Sequence, residues 1–122
     1  MEGRADEPWQ LEFVPLGQAG GDALSEFMDE LTPRQQAQLQ RALSRLERHG
    51  LRLDGDYFEK ITGSGLSAWR HTVQDCEVRF LYCLEERRFV MLAVFKKKKG
   101  KTPAKMIARA TARWKAWKEE NR

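Results

Sequence analysis

Apolar and polar positions along this chain of 122 residues follow one period in the first half and another in the second. Trp9-Gln10-Leu11-Glu12-Phe13-Val14 alternates and predicts a strand, ended by Pro15 and Gly17. Gly20-Gly21 is a break. Asp22 can then cap a helix whose Leu24, Phe27, Met28 and Leu31 fall at i, i+3, i+4 and i+7. Thr32-Pro33-Arg34-Gln35 opens a second helix, with Thr32 as N-cap, Pro33 at the first helical position and Gln35 completing a capping box. Leu39, Ala42, Leu43 and Leu46 share one face of it, and Gly50 stops it. The two helices should form an antiparallel hairpin.

The second half reads as strands. Residues 66–73 make one, and residues 77–84 the next. Val78, Phe80, Tyr82 and Leu84 form an apolar face there, with Arg79 on the other. Glu85-Glu86-Arg87-Arg88 turns the chain into residues 89–95, which are apolar at both parities, as a central strand should be. An antiparallel meander of three strands is expected. Thr102 should cap, and Pro103 start, a last helix with Met106, Ile107, Ala110, Trp114 and Trp117 as its core stripe. Lys105, Arg109 and Arg113 form a separate basic row. The order β-αα-βββ-α predicts an α+β domain over residues 9–122, after a flexible N-terminus over residues 1–8.

Charge sharpens this picture. The net charge is only +4, but residues 1–58 carry −5 and residues 59–122 carry +9. Lys96, Lys97, Lys98, Lys99 and Lys101 crowd into six residues between the last strand and the last helix. Like charges held between two ordered elements cost stability unless an anion meets them. The partner should therefore be nucleic acid, an anionic membrane or an acidic protein. No apolar run reaches the ~20 residues that span a bilayer. The acidic start Met1-Glu2-Gly3-Arg4-Ala5-Asp6-Glu7-Pro8 does not read as a signal peptide, so a cytoplasmic protein with no membrane partner is expected.

Several chemistries find no support. Gly100-Lys101-Thr102 invites a phosphate-binding loop, but the pattern needs Gly at position 95, which is Phe. Cys76 and Cys83 fall in one predicted strand, about 23 Å apart at ~3.3 Å per residue, too far to bridge. No Cys or His spacing suggests a metal. No nucleophilic triad emerges. His49 ends a helix, where a cation suits the dipole. His71 follows Arg70 in a strand, so the two face opposite ways unless one lies at a rim. What remains is a basic constellation. Arg70 and Arg79 lie mid-strand in neighbouring strands, near the lysine run and the last helix's basic row. They either pair with carboxylates such as Glu12 or Glu77, or line a sheet face for a phosphodiester backbone.

Five segments, taken together, resemble a known family. They are Phe58-Glu59-Lys60-Ile61-Thr62-Gly63, Leu66 to Arg70, Val78-Arg79-Phe80-Leu81-Tyr82, Leu92 to Lys98, and Lys101-Thr102-Pro103 followed by Ile107, Ala110 and Arg113. In order and near spacing, over residues 58–113, they resemble the phage-derived, HigB-like branch of the RelE/ParE toxin superfamily. The family pattern has glutamate two residues before the first arginine, where this chain has Ala68, and Trp69 stands next to Arg70.

The resemblance implies a RelE-like fold with an N-terminal strand and helical hairpin packed on a small, mainly antiparallel sheet, and a C-terminal helix. It also implies the toxin of a type II toxin–antitoxin pair, acting as a ribosome-dependent mRNA endonuclease without metal or cofactor. The ribose 2′-hydroxyl would attack the neighbouring phosphate, and rigidly held cations would stabilise the charge that develops. By position, Arg70 and Arg79 would bind the phosphate and transition state; His71 is a further catalytic candidate from its place in the strand alone. Lys96 or Lys97 would act as base or charge stabiliser, its basicity lowered by Lys98 and Lys99. Lys98, Lys99, Lys101, Lys105, Arg109 and Arg113 would hold RNA or ribosome. The implied partners are a cognate helix-turn-helix antitoxin and mRNA on the ribosome. ParE-like relatives share the fold but inhibit gyrase, so a non-catalytic module binding gyrase or another acidic partner is the alternative.

Overall fold

The computed structural model describes residues 7–53, 57–97 and 102–122. The residues numbered 1–6 in the expected flexible N-terminus, and Lys98, Lys99 and Lys101, lie outside the described residues. The elements run β1 (Gln10–Phe13), α1 (Ser25–Met28), α2 (Pro33–His49), β2 (Tyr57–Ile61), β3 (Leu66–Val73), β4 (Cys76–Glu85), β5 (Arg88–Lys96) and α3 (Ala104–Glu120). The sheet order is β1-β5-β4-β3-β2, with β1 parallel to β5 and the other pairs antiparallel. This is the expected α+β architecture, with a helical hairpin and a C-terminal helix on a mainly antiparallel sheet.

The start of α2 follows from its first four residues. Thr32 Oγ1 accepts from the Gln35 N–H at 3.1 Å, and Gln35 Oε1 accepts from the Thr32 N–H at 3.0 Å, with Pro33 at the first helical position. At the other end Gly50 takes φ +56°, and its N–H donates to the Leu46 carbonyl. A Cβ there would sit 2.1 Å from Trp9 Cε2, so both backbone and packing require glycine. Between these ends, Leu39, Ala42, Leu43 and Leu46 bury against the sheet face carrying Trp69, Val78, Phe80, Phe89 and Met91. On the opposite face, Met106, Ala110 and Trp117 of α3 cover Leu66, Ala68, Leu81, Val90, Ala93 and Phe95. The sheet is therefore the middle of three layers, which explains why β5 is apolar at both parities.

Two elements differ from expectation. The first arm of the hairpin is a single α-turn. Asp22 Oδ1 does accept from Leu24 N–H at 3.0 Å and Ser25 N–H at 2.9 Å. But Asp29 and Glu30 follow, where negative charge opposes the helix dipole. Gln36 Nε2 from α2 then donates to the Met28 and Leu31 carbonyls, at 3.0 and 3.2 Å. The fourth antiparallel strand, β2, is an addition. It is a half-exposed edge strand holding Glu59 and Lys60, so it lacks the apolar run that marks a buried strand. Leu84 is 39% exposed, unlike Val78, Phe80 and Tyr82 of its predicted face.

Gly50→Ala should destabilise the fold by about 2–3 kcal/mol, from a disfavoured φ and collision with Trp9. The midpoint of urea unfolding measures this. Burial holds the Cys83 thiol up at about 11, from the usual 9.0, and the Tyr82 phenol up at about 12, from 10.0. The folded state thus keeps protons that the unfolded state releases, and stability should fall as pH rises from 9 towards 12. Tyr82→Phe should lessen the fall above pH 10 in the same unfolding experiment.

Candidate functional site

Residues directly opposite one another in an antiparallel ladder share a face. Tyr57 pairs with Arg70, Arg70 with Arg79, and Arg79 with Phe95. These four form one row across β2, β3, β4 and β5, on the α3 side. Two guanidinium groups on paired positions repel, and each is met by a carboxylate. Arg79 is the one buried charged side chain among the described residues, at 4% exposure. Its Nε donates to Glu77 Oε2 at 3.0 Å, and its Nη1 donates to Thr102 Oγ1 at 2.9 Å. Arg70 is half-buried. Its Cζ lies 4.5 Å from the centroid of the Tyr57 ring. Its Nε is buried and 3.2 Å from Glu59 Oε1, which is near enough for an ion pair but not aligned as a hydrogen bond. That donor is left for a better-placed acceptor.

Beside Arg79 opens a cleft of about 520 Å³, lined by Glu59, Lys60, Ile61, Thr62, Arg79, Lys97, Thr102 and Ile107. Lys97 follows β5, and its backbone N–H donates to the Glu77 carbonyl at 2.9 Å. Arg79, Lys97 and Lys60 thus line one cleft, and Arg70 stands beside it, opposite Arg79 on the neighbouring strand.

The other predicted residues are divided from this group. His71 and Lys96 both pair with Val78, which lies in the core under α2. They therefore face the α2 side, away from the arginines. The His71 ring stacks on Trp69 at 5.7 Å, and the Lys96 charge acts on Cys76, whose thiol burial pushes up. Strand alternation enforces this split: His71 and Lys96 stand on the sheet face opposite Arg70 and Arg79. Lys105 and Arg109 are exposed on the first turns of α3. Arg113, expected in the same basic row, turns inward instead. Its Nη1 donates to Glu26 Oε1 at 2.9 Å and to the Leu92 carbonyl at 2.8 Å. Leu92 is the extra residue where the β4–β5 register shifts, since Leu81 pairs with Ala93 and Tyr82 with Met91. Arg113 ties α1 and α3 to that bulge.

Sequence reasoning missed several residues of the site. Thr102 was expected to cap α3. Pro103 stands at the N-cap with no side-chain bond, and the Thr102 hydroxyl accepts from Arg79. Glu77, by contrast, is one of the two carboxylates named above for the arginines, and it pairs with Arg79, two residues on and so on the same face. Glu59, Lys60 and Tyr57 needed β2 to be recognised first. Ala68, where the family pattern has glutamate, is fully buried and lies directly opposite Glu59. The carboxylate near Arg70 thus comes from the neighbouring strand.

Arg113→Ala should cost about 1–2 kcal/mol, because it orphans Glu26 and a bulge carbonyl. Arg109→Ala should leave stability within about 0.5 kcal/mol. Thermal unfolding of the two variants separates the structural arginine from the surface one.

Among the described residues no helix is long and apolar enough to cross a membrane. No curated protein matches the chain. A family model described as "Phage derived protein Gp49-like (DUF891)" matches residues 26–115, from α1 through most of α3, and so includes the paired arginines, the cleft and both flanking layers. With three quarters of its length so matched, the chain belongs to the phage-derived Gp49-like family, a family of RelE/HigB-like toxins.

Proposed function

We propose that the protein is the toxin of a type II toxin–antitoxin pair of the HigB-like branch, a cytoplasmic endoribonuclease that cuts mRNA on the ribosome. The observation that carries this reading is the cross-strand pair of Arg70 and Arg79 beside a cleft that also holds Lys97. A guanidinium presents its donors in a planar fork that matches phosphate oxygens. Two such groups at one strand spacing, about 4.8 Å, can hold one phosphate between them.

In the proposed reaction the 2′-oxygen attacks the adjacent phosphorus and the bond from phosphorus to the 5′-oxygen breaks. The products are a 2′,3′-cyclic phosphate and a free 5′-hydroxyl. Arg79, held by Glu77 and Thr102, stabilises the charge on the pentacoordinate phosphorus, and Arg70 binds a non-bridging oxygen. Preorganised charge of this kind is the largest contribution such a site can make. Lys97, the member of the lysine pair that lines the cleft, serves in this reading as proton carrier or third cation. The Glu59 carboxylate in the same cleft is a second proton acceptor within reach. Side chains supply all of the charge stabilisation. The partners in this reading are translated mRNA and a helix-turn-helix antitoxin. Lys98, Lys99, Lys101, Lys105 and Arg109 supply further positive charge for holding the RNA or ribosome.

Mapping RNA 5′ ends after induced expression tests the reading. New ends bearing 5′-hydroxyls within translated messages are expected. Arg70→Ala and Arg79→Lys should each reduce their yield at least about 100-fold in protein that is still folded, with Arg79→Lys alone losing about 1–3 kcal/mol of stability. Growth arrest with intact messages would instead favour a non-catalytic, gyrase-binding protein.

A further inference from the structure

The chain has twelve aromatic residues, all of them described, and Tyr57 is the one that is exposed, at 64%. It stands on β2, the edge strand of the sheet among the described residues. Arg70 lies across one face of its ring. With most of the residue in solvent, the opposite ring face is open. A tyrosine ring in water on a sheet edge contributes little to the core, and here it is clipped flat by a guanidinium. The row Tyr57–Arg70–Arg79 is straight, so the ring sits two strand spacings, about 10 Å, from Arg79.

Building on the RNA-cleaving reading above, we infer that Tyr57 is a stacking platform for one unpaired nucleobase next to the phosphate held by Arg70 and Arg79. The base packs on the open ring face while Arg70 backs the other face, so base, phenol and guanidinium form a three-layer stack. Every base has such a π-face, so the platform selects single-stranded RNA with a splayed-out base and is tolerant of base identity. A base locked in a duplex cannot reach it. Because Arg70 touches both the ring and the phosphate position, seating the base also fixes the guanidinium for the phosphate.

The test is equilibrium binding of a short, fluorescent, 2′-O-methyl single-stranded RNA, alongside the same oligomer with one abasic position moved along it. Tyr57→Ala should weaken binding of the intact oligomer about 5- to 150-fold. Tyr57→Phe should bind like the parent. One abasic position should reproduce the loss in the parent protein and add nothing to the loss in Tyr57→Ala. The salt dependence should be the same for parent and Tyr57→Ala, whereas Arg79→Ala should lower its slope by about one. Equal binding by parent and Tyr57→Ala, or an equal loss on every abasic oligomer, overturns the platform and leaves the RNA reading standing. Absence of any salt-sensitive RNA binding by the parent overturns both.

Discussion

Two like charges face each other across the β3–β4 ladder, and much of the rest of the molecule keeps them there. Arg70 and Arg79 occupy paired positions in a sheet packed on both faces. Apart, each could swing into solvent. In the row they are held by Glu59 and Glu77, by the Thr102 hydroxyl and by the Tyr57 ring. A carboxylate beside each guanidinium relieves their repulsion. In the proposed reaction a phosphate oxygen would take its place.

The layers give this pair its rigidity. α2 seals one face of the sheet through a capping box at its start and a glycine at its end that admits the Trp9 ring. α3 seals the other face and carries Ile107 to the cleft wall. Arg113 locks α3 to the β5 bulge and to Glu26, so a basic residue that looks like part of a binding surface in one dimension serves the fold in three. Between the two layers, the guanidinium of Arg79 is buried and held by Glu77 and Thr102, the positioning that catalysis at a phosphate would require.

How far the chain could be read from its residues follows from the physics of each element. β3, β4 and α2 were legible because period and caps agreed. Arg79 could be placed on the face opposite Val78 and Phe80 by alternation alone. β2 was not, since an edge strand needs only half a buried face and carries charges that mimic a loop. The lysine pair was ambiguous for a related reason. β5 is buried on both faces, so its residues carry no marker of which way Lys96 or Lys97 points, and only the ladder register resolves it. Thr102 looked like a helix cap because its neighbours fit one. The long-range claim of Arg79 on its hydroxyl is invisible to local pattern.

The most direct measurement of the central claim is a structure of the protein bound to a short RNA carrying a 2′-O-methyl group at the nucleotide before the scissile phosphate. A phosphate within hydrogen-bonding distance of both Arg70 and Arg79, with Glu59 displaced from Arg70, is the predicted result. RNA bound elsewhere on the surface, with the Arg70–Glu59 and Arg79–Glu77 pairs undisturbed, would contradict it.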